Sequence, residues 1–166
     1  MKINKMAATA GVVLFLSLAA AGAVNEPELK EGLWSVHNQT ISNPGNKKTE
    51  GSYTLCRDHA FDRSGRAMAK AVTGCTKTEE HLEGGKYSSA THCVAAGITI
   101  ESRGITTFQG DTSTHTVSHS SYAPAMAGMN ESTTSMDEKY IGACPAGMLP
   151  GDRTMTNGQV IHLGKR

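Results

Sequence analysis

Alternating apolar and polar residues run along most of the chain and predict β-strands. In residues 31–41, Trp34 and Val36 fall on one face of a strand, and Ser35 and His37 fall on the other. Clusters of Gly, Pro, Asn and Asp interrupt this period, as turns do. The predicted strands cover residues 31–41, 51–57, 75–82, 86–95, 98–108, 112–122, 131–141 and 159–162.

The spacing of apolar residues changes between the second and third predicted strands, and there the sequence predicts one short helix. Phe61, Met68 and Val72 recur at the spacing of a helical stripe that would pack on a sheet. Either Asp58 or Asp62 is suited to cap its N-terminus, because both carry an oxygen that accepts from free backbone amides.

Short connections between successive strands set the predicted fold class. Gln109-Gly110-Asp111 is typical of a tight turn, and residues 123–130 are predicted to form a longer loop. The chain is therefore expected to be mainly β. We expect an antiparallel meander or a half-closed barrel of about six to eight strands, with one short helix at its side.

The apolar content is low for an ordinary globular core. Residues 24–166 contain 20 Leu, Ile, Val and Phe among 143 residues, which is 14%, whereas a proportion below about 20% signals a weak core. The same segment has 14 basic and 15 acidic residues, so charge repulsion gives no reason for disorder. Such a domain needs covalent stabilisation.

Four cysteines are available for that stabilisation: Cys56, Cys75, Cys93 and Cys144. An even count in an exported chain predicts two disulfides, for which three pairings exist. Cys75 and Cys93 flank a predicted hairpin and would face each other across it, so we expect them to pair. Cys56 and Cys144 then form the second disulfide. A zinc site is disfavoured, because no two cysteines are close in sequence.

The N-terminus has the three parts of a secretory signal peptide. Lys2 and Lys5 precede a run of about a dozen apolar residues, and Ala21-Gly22-Ala23 supplies a small-residue cleavage site. Residues 1–23 are therefore predicted to be removed, with cleavage after Ala21 as the near alternative. The remaining residues 24–166 are expected to form one exported, disulfide-stabilised β domain without a membrane span.

Charge and motifs exclude several function classes. The net charge of +1 gives no reason to expect nucleic acid as a partner, and the basic helical residues Arg63, Arg66 and Lys70 are expected to be solvated. No nucleophile, zinc-protease or phosphate-loop motif occurs. We therefore assign no catalytic, cofactor-binding or metal-binding residue.

Two residue sets are of a type that can bind metal ions. His115 and His119 have the spacing of zinc ligands on a helix, but in a strand four residues span about 13 Å, too far for one ion. Met126, Met129 and Met136 are of the type that binds copper(I), although methionines more often fill gaps in packing.

The order of short motifs resembles a known family. Gly32-Leu33-Trp34 opens the mature chain, the spaced cysteines follow, and Gly142-Ala143-Cys144 comes near the end. This arrangement resembles the bacterial domain-of-unknown-function family 3617. The resemblance implies a small exported periplasmic protein, and it implies no catalytic residues.

These observations together favour a non-enzymatic binding or structural module of the cell envelope, with an envelope protein or a small ligand as its partner. Polar strands present backbone edges and rows of hydroxyl groups, which suit recognition rather than catalysis. Two alternatives stay open. One is a periplasmic enzyme whose site has no recognised motif, and the other is a copper carrier that uses His and Met.

Overall fold

The computed structural model describes Val24 and residues 26–163; the predicted signal segment 1–23 lies outside the described residues. The chain is mainly β and has one short helix in this part. Its elements are β1 (Gly32–Asn43), β2 (Lys47–Arg57), α1 (His59–Lys70), β3 (Cys75–Glu83), β4 (Lys86–Ala95), β5 (Ile98–Gln109), β6 (Ser113–Met126), β7 (Met129–Gly142), β8 (Asp152–Met155) and β9 (Val160–His162).

The strands form a single antiparallel sheet in the order β3-β4-β5-β6-β7-β1-β2-β8-β9, which does not close. Strands β3 to β7 follow one another as a meander, and the β1–β2 hairpin joins the meander through β7. Helix α1 therefore connects two strands that lie far apart in the sheet. This architecture confirms the predicted fold class. No helix in the described part of the chain is long and apolar enough to cross a membrane.

Two local expectations were wrong. Residues 123–130 do not form a long loop, because β6 and β7 continue on either side of a short turn at Ala127 and Gly128. Strand β8 was not predicted, since it has only four residues and follows the Pro150-Gly151 turn. It pairs with β2 over three positions, too few for a sequence period to be visible.

The two faces of the sheet differ in character. Cross-strand partners share a face, and Trp34 is paired with both Leu55 and Tyr140. We call the face that bears Trp34 the inner face and the opposite one, which bears His37 and His115, the outer face. Trp34 and Val36 are fully buried, which confirms the predicted assignment of β1 residues to faces.

Much of the inner face carries hydroxyl groups rather than apolar side chains. These hydroxyls bond to each other across adjacent strands, so each satisfies its neighbour away from bulk water. The cross-strand pairs are Ser102–Ser120 at 2.8 Å, Thr106–Thr116 at 2.9 Å, Thr40–Thr134 at 2.9 Å and Tyr122–Ser132 at 3.0 Å. The apolar core is correspondingly small and lies around Trp34, near the start of α1.

Both predicted disulfides are present: Cys56–Cys144 closes 88 residues and Cys75–Cys93 closes 18. The β3–β4 pairing that begins at Cys75 and Cys93 does not keep a regular register up to the turn. An irregularity between Lys77 and Glu79 takes up one residue, so the hairpin turns tightly through Gly84 and Gly85. Both glycines have positive φ, as a two-residue hairpin turn requires.

Candidate functional site

A cleft lies between α1 and the inner face of β3 and β4. Its volume is about 530 Å³, within the range of roughly 300–1,000 Å³ found for small-molecule sites. The helix supplies one wall, the strands supply the other, and Glu26 of the N-terminal segment lies at the rim. The residues that line the cleft are Glu26, Arg66, Ala69, Lys70, Cys75, Thr76, Lys77, Glu80, Tyr87, Ser89 and Thr91.

The cleft exists because α1 is fixed to the sheet at its start and stands away from it further along. Asp58 caps the helix by accepting from the Phe61 amide at 2.7 Å. Asp62, in the first turn, is buried and binds Arg57 of β2. One of the two predicted caps is therefore confirmed, and the other aspartate has a different role.

Most of the apolar stripe expected on the helix does not pack on the sheet. Phe61 is half-buried, but Met68 and Val72 are 63% and 52% exposed. The face directed at the sheet is instead the polar one that contains Asp62, Arg66 and Lys70, spaced at i, i+4 and i+8. Arg66 is half-buried and Lys70 is exposed, and both line the cleft, so the basic helix face that was expected to be solvated also forms one wall of the cleft.

Three side chains on the sheet wall form a closed hydrogen-bonded cluster. The Lys77 ammonium donates to Glu80 at 2.5 Å and to the Tyr87 hydroxyl at 2.9 Å, and that hydroxyl donates to Glu80 at 2.6 Å. Tyr87 is only 8% exposed, which fixes the ring. Each member therefore restrains the other two, and the wall is ordered before any ligand arrives.

The cluster shifts the pKa of each member away from neutrality. Hydrogen bonds from Lys77 and Tyr87 lower the pKa of Glu80. Burial and the bond to Glu80 raise the pKa of Tyr87. Burial alone would lower the pKa of Lys77, but its bonds to Glu80 and Tyr87 outweigh that effect and raise it. Near pH 7 the cluster thus holds a carboxylate, an ammonium and a neutral phenol.

The Cys75–Cys93 disulfide ties the two cleft strands together at their far end. The two cysteines are direct partners in the β3–β4 ladder, and Cys75 lines the cleft. Strand β3 lies at the edge of the sheet and has a neighbour on one side only. The disulfide therefore helps to hold β3 in register with β4.

A second, smaller groove of about 300 Å³ lies across β4 to β6. Its lining includes Ile105 and Val117, which are cross-strand partners and are 51% and 41% exposed. Arg103 and His119 flank them on the same face. This groove lacks the hydrogen-bonded cluster of the larger cleft.

The histidines of the outer face do not form a catalytic relay. His115 contacts Asp137 at 2.6 Å, and His37 contacts the Ser52 hydroxyl at 2.9 Å. A relay requires one imidazole to touch both a nucleophile and a carboxylate. Among the described side chains, no histidine makes both contacts.

The structure also separates the residues weighed as metal ligands. His115 and His119 lie on strand β6, where His115 contacts Asp137 and His119 contacts Thr133. Met126 and Met129 are partners at the β6–β7 turn, whereas seven residues of strand, about 23 Å, separate Met129 from Met136. No group of three or more His, Cys, Asp or Glu residues in the described ranges is arranged to hold a metal ion.

Sequence reasoning missed the cluster of Lys77, Glu80 and Tyr87. In a regular strand Lys77 and Glu80 point to opposite faces, since three residues separate them. The irregularity between Lys77 and Glu79 brings both onto the inner face. Because nothing in the local sequence marks that irregularity, the pattern alone gave no usable signal.

Comparison with known proteins identifies a family. The family described as "Protein of unknown function (DUF3617)" matches residues 29–144. That range contains β1 to β7, α1 and both disulfides. It therefore includes both walls of the cleft and leaves β8 and β9 outside. No curated protein matches the chain.

Proposed function

The chain belongs to the DUF3617 family, and we propose that it is an exported, non-enzymatic binding module of the periplasm. Its binding site is the cleft between α1 and the β3–β4 hairpin, and its partner there is a small ligand. The observation that carries this proposal is the polar helix face held away from an ordered sheet wall. A helix that directs Arg66 and Lys70 inward and leaves Met68 exposed gains little from packing on the sheet, and a ligand site accounts for this orientation.

The chemistry of the cleft supports binding rather than catalysis. A general acid or base works best with a pKa near the operating pH. The pKa of Glu80 is lowered, and those of Lys77 and Tyr87 are raised. All three pKa values are shifted away from pH 7, so none of these groups changes its protonation state near neutral pH. Such groups suit fixed hydrogen-bonding contacts with a ligand.

Two features support export to an oxidising compartment. Both disulfides are formed in the structure, and disulfides persist outside the reducing cytosol. The sequence of residues 1–23 has the order of a secretory signal. Cleavage after Ala23 would make Val24 the N-terminus, two residues before Glu26 at the rim of the cleft. The mature chain would thus begin beside its ligand site.

Native mass spectrometry tests the binding role on protein purified from its own periplasm. Ala69→Trp adds a large side chain at an exposed helix position that lines the cleft. Ala67→Trp is the matched control, because Ala67 is exposed on the same helix but does not line the cleft. We expect wild type and Ala67→Trp to retain a small-molecule adduct that Ala69→Trp loses. Equal adducts on all three proteins, or no adduct on any, would contradict the proposal.

A further inference from the structure

We infer that the ligand of this cleft is a small hydroxylated anion, of the class of sugar phosphates and uronic acids. This inference rests on the proposed binding function and specifies its substrate class. It follows from the different chemistry of the two cleft walls.

The helix wall carries two cationic side chains, and neither has a carboxylate within ion-pair distance in the described part of the chain. Arg66 and Lys70 line the cleft, and within the part of the chain that the structure describes neither forms an ion pair. By contrast Arg63, on the same helix, is paired with Glu28 at 3.2 Å. Two uncompensated cations one helical turn apart match the oxygens of a phosphate or a carboxylate.

The acidic residues of the cleft do not cancel this charge. Glu80 pairs directly with Lys77 on the sheet wall, with a contact of 2.5 Å, and the charge of Lys70 acts on it only from a longer distance. Glu26 is left as the single other carboxylate at the rim. The cleft therefore contains three cations and two carboxylates and favours an anion.

The sheet wall offers neutral hydroxyl groups instead of charge. Ser89 and Thr91 line it and are half-buried, and among the described residues neither hydroxyl has a hydrogen-bond partner. Elsewhere on the inner face, hydroxyls such as those of Ser102 and Ser120 satisfy each other. Hydroxyls that are left free at a cleft wall are ready to donate to and accept from a ligand's own hydroxyls.

The two walls together select against other ligand classes. A neutral sugar would leave Arg66 and Lys70 without a partner, and a cation would be repelled by them. A fatty acid would satisfy the cations, but its chain would cover Ser89 and Thr91 and leave their hydroxyls without water, which costs free energy. A hydroxylated anion satisfies both walls at once.

Isothermal titration with matched sugars tests the ligand class. The probes are glucuronate and glucose 6-phosphate as anions, glucose as the neutral analogue, glucosamine as the cation and octanoate as the apolar anion. We expect both sugar anions to bind at least about tenfold more tightly than the other three, the difference a charge-assisted contact supplies. The ratio between the two sugar anions tells a carboxylate ligand from a phosphate ligand.

Variants of the helix test whether Arg66 and Lys70 bind the anion. Arg66→Gln with Lys70→Gln is expected to weaken binding of the sugar anions about tenfold or more and to leave circular dichroism and unfolding unchanged. Arg63→Gln, on the same helix, is expected to bind as wild type does. The inference is wrong if glucose or octanoate binds as tightly as the sugar anions, if no sugar anion binds at millimolar concentration, or if the double variant binds normally.

These results separate the inference from the proposed function. A native adduct that Ala69→Trp loses but the Arg66→Gln, Lys70→Gln variant keeps would leave the binding role intact and overturn the ligand class. An adduct that Ala69→Trp keeps would overturn the binding role itself.

Discussion

Arg57, the last residue of β2, binds Asp62 of α1 through two guanidinium nitrogens, Nε at 3.0 Å and Nη2 at 2.9 Å. Their side chains are 12% and 6% exposed. The remaining nitrogen, Nη1, lies 3.5 Å from Glu138 of β7, which also accepts from Thr114 of β6 at 2.9 Å. This network fixes the first turn of the helix to three strands and so sets where the cleft lies.

Removing the carboxylate of this pair is expected to destabilise the fold. Asp62→Ala leaves the Arg57 guanidinium nearly buried without its main partner, which typically costs about 3 kcal/mol or more. Urea unfolding measures the loss. Arg63→Ala is the control, since its ion pair with Glu28 is exposed and is worth about 1 kcal/mol at most. Equal stability of the two variants would show that the buried pair does not anchor the helix.

The two disulfides are expected to contribute unequally. In the chain-entropy model, the stabilisation grows with the loop closed, here 88 residues for Cys56–Cys144 and 18 for Cys75–Cys93. Replacing both cysteines of a bridge by serine should therefore cost about 4.6 and about 3.2 kcal/mol, respectively. Denaturant unfolding of the two double-serine variants gives the order. The opposite order would mean that native-state effects outweigh loop entropy.

Tyr87 is expected to ionise above the ordinary tyrosine pKa of 10.0, because burial and the bond to Glu80 raise its pKa. The folded state thus holds this proton more tightly than the unfolded state does. The resulting stability is present below pH 10 and is lost as the pH rises through the folded pKa. Alkaline titration of tyrosinate absorbance should show a late step that Tyr87→Phe removes. A Tyr87→Phe protein that keeps this step would refute the assignment.

Export is expected to remove residues 1–23. The charged start, the apolar run and the small residues at 21–23 are the features that signal peptidase substrates share. Intact-mass measurement of protein from the periplasm should give a chain that begins at Val24, or at Gly22 for the near alternative. A full-length chain retained in the membrane fraction would contradict both export and the placement of the N-terminus beside the cleft.

Much of the fold could be predicted from the sequence, because the alternation of apolar and polar residues in a strand is visible in the sequence itself. Trp34 and Val36 alternate with polar residues, and their burial followed from that alternation. The disulfide pairing followed from the hairpin that Cys75 and Cys93 flank. Strand β8 was not predicted, because an element of four residues has too few positions to show a period.

The cleft could not be predicted from the sequence, because it depends on contacts between elements that are far apart along the chain. The stripe of Met68 and Val72 predicted packing on the sheet, yet the buried contact of Asp62 with Arg57 orients the helix with its polar face inward. That contact joins two elements and has no local signature. The cluster around Tyr87 likewise depends on a strand irregularity. In both cases, contacts between elements override the local pattern.

The measurement that tests the binding cleft most directly is amide chemical-shift mapping of the isotope-labelled protein during titration with a small-molecule extract of the periplasm. We expect shifts at residues 66–70, 75–80 and 87–91, which form the two walls, and we expect none of these shifts in Ala69→Trp. Ala67→Trp should respond as wild type does. Shifts centred instead on the Ile105–Val117 groove, or no shifts at all, would contradict it.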